Sequence, residues 1–217
     1  MPEVIFSGPA GRIEARYHHS KAAGSPIAIL LHPHPTFGGT MNNPIVHTLY
    51  QMFQSRGFSV LRFNFRGVGR SQGIFENGAG ELSDAASALD WLQSFNREAK
   101  ICWIAGVSFG AWISMQLLMR RPEIGGFISV APLAKHYDFS FLAPCPASGL
   151  FINGEKDTVT PPEAVHSLVA KLKTQKGIAV EHKVIPGANH FFQDKIDDLS
   201  KICSTYLDKR LAAEGQL

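Results

Sequence analysis

The sequence predicts an α/β fold, a mostly parallel sheet of about eight strands with helices on both faces. Three observations predict it. Short apolar runs of strand type alternate with longer stretches of helical periodicity along the chain. The apolar run ICWIAGVSFG, ending at Gly110, passes through a tight turn straight into the helix-like stretch 111–120. The chain holds 217 residues, enough for one well-buried core and too few for two large domains, so a single domain over 1–217 is expected.

Taken in order, residues 4–6 and 12–17 read as two short strands around the turn Gly8-Pro9-Ala10-Gly11, an antiparallel pair. Ile27–Leu31 is a continuous apolar run of buried-strand type. The loop HPHPTFGGT follows over 32–40. Pro44 suits the first turn of a helix that runs to about Ser55 and stops at Gly57. Residues 58–64 form the next strand, and RGVGRSQG over 66–73 is loop. Leu82, Ala85, Ala86, Leu89 and Leu92 repeat at helical spacing and place a helix over 82–95. Pro122 limits the helix after the serine turn. Residues 126–130, 149–153 and 180–185 supply three more strands. Pro161-Pro162 opens a helix to about Lys173, and a last helix spans 193–210.

Composition excludes several classes. Hydrophobic residues make up 45 % and charged residues 18 %, a soluble globular balance. The net charge of +3 is too small to argue for nucleic acid, and the densest basic stretch, KLKTQK over 171–176, reads as a solvated helix end. The three cysteines, Cys102, Cys145 and Cys203, are far apart and form no C-x-x-C, which argues against zinc and against a disulfide framework. The start of the chain lacks the basic residues and long apolar core of a signal peptide. No apolar run approaches the ~18 residues of a membrane span. A cytoplasmic protein with no membrane and no nucleic-acid partner is expected; oligomeric state has no signature in the sequence.

The chemistry centres on Gly106-Val107-Ser108-Phe109-Gly110. A strand before and a helix after raise Ser108 to the apex of a strained turn, at the positive end of a helix dipole. The flanking glycines let strand and helix pass without a clash. A serine hydroxyl is a poor nucleophile until a base takes its proton, and that base needs a third group to hold its tautomer. In a parallel sheet such groups gather beyond the carboxyl ends of the strands. Asp157, within Gly154-Glu155-Lys156-Asp157, fits the acid, with Glu155 the nearest rival and Asp138 a weaker one. His190, in Gly187-Ala188-Asn189-His190-Phe191-Phe192, fits the base. The order Ser108, Asp157, His190 is that of strand-elbow hydrolases, whereas Asp84 and Asp90 precede the serine and break it.

On these motifs, together with HPHPTFGG and FRGVGRSQG, the chain resembles the α/β-hydrolase superfamily over nearly its whole length. It is similar to the small bacterial members without a large cap, akin to the dienelactone-hydrolase and prolyl-oligopeptidase-like branches. Dienelactone hydrolases carry cysteine at the elbow, where this chain has Ser108. The resemblance implies a serine-dependent hydrolase of carboxylic esters acting on a small-molecule substrate, with no cofactor. Peptide, amide or thioester cleavage would use the same triad. A binding module on the same fold would not require the complete set, and a fluorophosphonate probe separates the two.

Acyl transfer also needs two N–H groups aimed at the developing oxyanion. Phe109 supplies one, and the loop after Ile27–Leu31 the other. Pro33 and Pro35 have no N–H, leaving His34, Thr36 and Phe37. Similar hydrolases place the donor two positions beyond the strand-end histidine, which maps to His34, with Thr36 next. His32-x-His34 as a metal pair lacks a third ligand at a compelling spacing, so no metal is expected. The RGVGRSQG loop has its third glycine one position late for a dinucleotide loop. Only residues 131–148 fill the place where relatives insert a cap. Phe37, Phe139, Phe141 and Phe191 are candidates for an apolar substrate wall in an open cleft suited to short acyl chains.

Overall fold

A computed structural model describes residues 3–213. Met1 and Pro2, at the start of the segment that lacks signal-peptide character, and the last four residues of the expected 1–217 domain lie outside the described residues. The strands are β1 (Glu3–Gly8), β2 (Gly11–His18), β3 (Ile27–Leu31), β4 (Ser59–Phe63), β5 (Cys102–Val107), β6 (Ile124–Val130), β7 (Ser148–Gly154) and β8 (Val180–Ile185). The helices are α1 (Pro44–Ser55), α2 (Ala79–Ser94), α3 (Phe109–Leu118), α4 (Pro162–Leu172) and α5 (Ile196–Ala213). They form one eight-stranded sheet in the order β1-β2-β4-β3-β5-β6-β7-β8. β2 pairs antiparallel with β1 and β4, and the six strands from β4 to β8 are parallel.

The central strands are apolar on both sides, and alternation divides their side chains between two cores. Ile27, Ile29 and Leu31 of β3 join α2, α3 and α4 on one face. Ala28 and Leu30 join α1 and α5 on the other. The chain passes from β3 outward to β4, then returns across β3 to begin β5, so the strand order reverses between β3 and β5. In open parallel sheets the crevice at such a reversal is where ligands bind. β3 delivers the HPHPTFGG loop to that crevice and β5 delivers Ser108.

Among the boundaries that differ from the expected ones, three helix starts have a local cause. α2 begins at Ala79, ahead of 82, because the buried Glu81 carboxylate accepts the N–H groups of Gly78 (2.7 Å) and Glu76 (3.0 Å) and caps the first turn. α3 begins directly after Ser108, and α5 begins at Ile196 once Phe192 and Asp194 have turned the chain with positive φ. A short 3-10 turn at Pro35–Phe37 had no periodicity to announce it. Among the described residues no helix is long and apolar enough to cross a membrane. Cys102, Cys145 and Cys203 are buried free thiols.

Candidate active site

Ser108 has φ 56° and ψ −114°, a conformation that costs of order 1–3 kcal/mol for a residue with a side chain. The surroundings enforce it. The Ser108 N–H donates to Val130 O on β6 (2.8 Å), and α3 starts at the next residue. A Cβ on Gly106 would collide with the Gly110 carbonyl, and one on Gly110 with the carbonyls of Leu31 and His32. Both glycines are therefore required by backbone approach, as their spacing implied.

The three separated residues meet. Ser108 Oγ lies 3.0 Å from His190 Nε2, and His190 Nδ1 lies 2.8 Å from Asp157 Oδ2. All three are buried, with only 7 %, 8 % and 3 % of their surfaces exposed. The other Asp157 oxygen accepts the N–H groups of Val159 (2.9 Å) and Thr160 (2.7 Å), so the carboxylate is held from both sides. The acid loop and the histidine loop are tied through their backbones: Glu155 N–H donates to Ile185 O and Lys156 N–H to Ala188 O. Below them Asn153 accepts from His182 Nε2 (3.2 Å) and donates to Thr160 O (3.4 Å).

The rival carboxylates are engaged elsewhere. Glu155 accepts the Gly187 N–H and Asp138 accepts from Ser140. Asp84 is buried against Arg66, and Asp90 pairs with Arg121. The idea of His32 and His34 as a metal pair meets the same kind of obstacle. His32 Nδ1 bonds Pro33 O (2.6 Å) and Nε2 accepts the Phe65 N–H (3.0 Å), so neither nitrogen is available. Complete burial pushes this imidazole down to about 3, and it is neutral.

Helix geometry leaves the Phe109 N–H without an intrahelical acceptor, beside the Ser108 hydroxyl. In the facing loop, the Phe37 N–H donates to His34 O and the Thr36 N–H to His34 Nδ1. Of the three candidates, only the His34 N–H has no acceptor among the described residues.

Phe37 and Phe191 are 85 % and 65 % exposed, each beside a site histidine: ring centroids are 4.8 Å apart for His34 and Phe37, and 5.4 Å for His190 and Phe191. Phe139 requires correction as a cleft residue. It is 5 % exposed and belongs to the core, with Phe141 stacked on it at 6.1 Å. The connection between β6 and β7 is short, and it holds itself in place by burying Leu133, Phe139, Leu142 and Cys145. The aromatic groups nearer the elbow are Phe75, Trp112 and Tyr137, which pack around the buried Phe109 ring at 5.7, 5.8 and 5.9 Å. Trp112 was open to detection, since it lies four residues after Ser108, one helical turn on. Tyr137 reaches it only through the path of a loop.

Residues 11–166 match the family model described as X-Pro dipeptidyl-peptidase (S15 family), a span that includes Ser108 and Asp157 and ends before His190. A solved structure from Agrobacterium tumefaciens, described as a protein of unknown function and candidate alpha/beta hydrolase, superimposes with a TM-score of 0.96 at 66 % identity, covering 98 % of each chain. XC6422 from Xanthomonas campestris, described as an a/b serine hydrolase without lid, gives a TM-score of 0.83 at 32 % identity over 92 % of this chain and 90 % of its own. Rat lysophosphatidylserine lipase ABHD12 is 26 % identical over 178 residues, 71 % of this chain, and the chain spans only 44 % of that relative's length. With the family match covering well over half of the chain, the protein belongs to the S15 family and is an α/β serine hydrolase.

Proposed function

We propose that the protein hydrolyses carboxylic esters with small or short-chain acyl groups. Ser108 is the nucleophile, His190 the general base and acid, and Asp157 the carboxylate that orients it; the N–H groups of Phe109 and His34 hold the oxyanion. The observation that carries this reading is the unbroken relay Ser108–His190–Asp157, at 3.0 and 2.8 Å, at the crevice where the strand order reverses.

His190 donates Nδ1–H to Asp157, which leaves Nε2 as an acceptor for the serine proton. As Ser108 Oγ bonds to the acyl carbon, its proton moves to Nε2 and the carbonyl π electrons move to oxygen, where the two N–H groups stabilise them. The tetrahedral intermediate collapses, the bond to the leaving oxygen breaks, and that oxygen takes the proton from Nε2. Water then gives a proton to Nε2 and attacks the acyl-serine. Collapse releases the acid and restores the hydroxyl. The chain supplies every proton carrier and charge-stabilising group in this scheme.

The S15 match favours a second reading, cleavage of an amide by the same groups. Matched p-nitrophenyl ester and p-nitroanilide substrates separate the two. Turnover of the ester with no anilide cleavage above background supports the first, and a dominant anilide activity supports the second. Either activity should fall by several orders of magnitude in Ser108→Ala and His190→Ala, because triad members act as a unit. Asp157→Asn should cost about 10⁴ through the wrong imidazole tautomer. Unchanged turnover in folded Ser108→Ala would remove both readings.

A further inference from the structure

The His34 side chain has a position that an amide donor does not by itself require. Its Nδ1 accepts the Thr36 N–H (3.3 Å) and lies 3.1 Å from Thr36 Oγ1, closing the cap of the Pro35–Phe37 turn. Its carbonyl accepts the N–H groups of Phe37 (3.2 Å) and Gly39 (3.0 Å). One residue thus gathers the amides of its own loop and leaves its own N–H pointing nowhere within it. Its ring packs against Phe109, Phe75 and Phe37, with centroids 4.8, 4.9 and 4.8 Å away. Phe109 is the residue that carries the other unpaired N–H, and its ring is fully buried. The two donors therefore come from different strands, β3 and β5, and touch through their own side chains.

We infer that the His34 imidazole is a positioning residue that sets the two halves of the oxyanion hole against each other, and that it does so only as a neutral acceptor. Oxyanion catalysis depends on donors held, before the reaction begins, at hydrogen-bond distance from where charge develops. Ring contact with Phe109 fixes the separation of the two segments. The Nδ1 cap fixes the turn that orients the His34 N–H. A proton on Nδ1 would oppose the Thr36 N–H and leave the turn held only by the Phe37 and Gly39 N–H groups on the His34 carbonyl. The titratable groups facing the ring are Glu81 at the start of α2, whose negative charge favours that proton, and the neutral His32. Burial outweighs Glu81 and lowers the proton affinity of His34 below that of an ordinary histidine.

The inference rests on Ser108 being the nucleophile, and the experiment separates the two claims. Steady-state constants for a soluble p-nitrophenyl ester are measured for wild type, His34→Ala and His34→Asn across the acid pH range, beside fluorophosphonate labelling of Ser108. His34→Ala should lower kcat by about 10²–10³ with KM nearly unchanged, the loss seen when one oxyanion donor is removed. Asparagine also accepts an N–H in a cap, so His34→Asn should recover part of kcat and remains informative if the alanine variant fails to fold. The acid limb of the wild-type profile should steepen from one proton to two, and His34→Asn should retain one. Wild-type kcat in the folded alanine variant, or a second proton that persists in His34→Asn, would overturn the inference while labelling of Ser108 left the nucleophile intact. Absence of both labelling and turnover in wild type would remove the underlying reading as well.

Discussion

His32 shows how completely a single residue can be committed. With Nδ1–H donated to Pro33 O and Nε2 accepting from Phe65, a second proton has nowhere to go, and burial pushes its titration down to about 3. The folded value lies below the ordinary 6.5, so the unfolded chain takes up the proton first. The resulting stability is complete above 6.5 and is lost as pH falls toward 3. Between pH 7.5 and 5 that one proton is worth about 2 kcal/mol. His182, lowered to about 4 chiefly by burial, acts in the same direction. The urea midpoint should therefore drop over this interval, with a shallower pH slope in His32→Gln; equal slopes would contradict the assignment. At this scale the meeting of Ser108, Asp157 and His190 was legible, because each follows a strand and their chain order is the one strand-elbow hydrolases use. Phe139 was not, since sequence does not say whether a loop phenylalanine turns toward a cleft or the core. His34 was legible as a candidate loop donor, and its N–H is left without an acceptor among the described residues, but its ring contacts depend on Phe75 and Phe109, which are remote in sequence.

Among the elements, α2 is locked to the loop after β4 by a buried ion pair. Arg66 bonds Asp84 through Nε (3.0 Å), Nη2 (2.7 Å) and its backbone N–H (3.0 Å), and meets Glu76 at 2.9 Å. Gly80 is required there, because a Cβ would strike the guanidinium. Asp84→Asn leaves the buried Arg66 charge with the half-exposed Glu76 in place of its buried partner, so the variant should cost about 3 kcal/mol in urea unfolding, the lower end for a broken buried pair. Replacing both partners with apolar residues, Arg66→Met with Asp84→Leu, should recover much of that loss. A single variant within about 0.5 kcal/mol of wild type, the range of ordinary surface changes, would show that the pair is dispensable. The strands were legible because β3 and β5 are apolar throughout and β4 is apolar apart from Ser59 and Arg62, and α1 because Asn43 and Pro44 mark its start. The start of α2 was hidden, since Glu81 is a buried cap that a pattern of apolar residues cannot include.

In the whole molecule, the reversal of strand order between β3 and β5 makes a crevice, and the connection between β6 and β7 leaves it uncovered. That connection holds only the three-residue turn Ser140–Leu142, and Trp112 Nε1 bonding Asp138 O (3.1 Å) and His136 bonding Val159 O (2.9 Å) pin it down. In the proposed open cleft, with the exposed Phe37 and Phe191 at its rim, a long chain would leave methylenes in water, each forgoing ~0.8 kcal/mol of burial. Along a p-nitrophenyl ester series, kcat/KM should peak at roughly two to six acyl carbons, with no jump in rate above the solubility limit. A steady rise to twelve or more carbons, with a jump in rate above the solubility limit, would contradict the open-cleft reading. The parallel architecture was legible from alternating strands and helices. The strand order that creates the crevice was not, because no local pattern records which strands become neighbours.

Activation of the proposed nucleophile Ser108 is read out by intact-protein and peptide mass spectrometry after exposure to a fluorophosphonate. One adduct per chain is expected on Ser108, with esterase activity lost in proportion to labelling and slow or absent labelling in His190→Ala. A folded protein that turns over ester while Ser108 stays unmodified, or that carries the adduct on another residue, would contradict it.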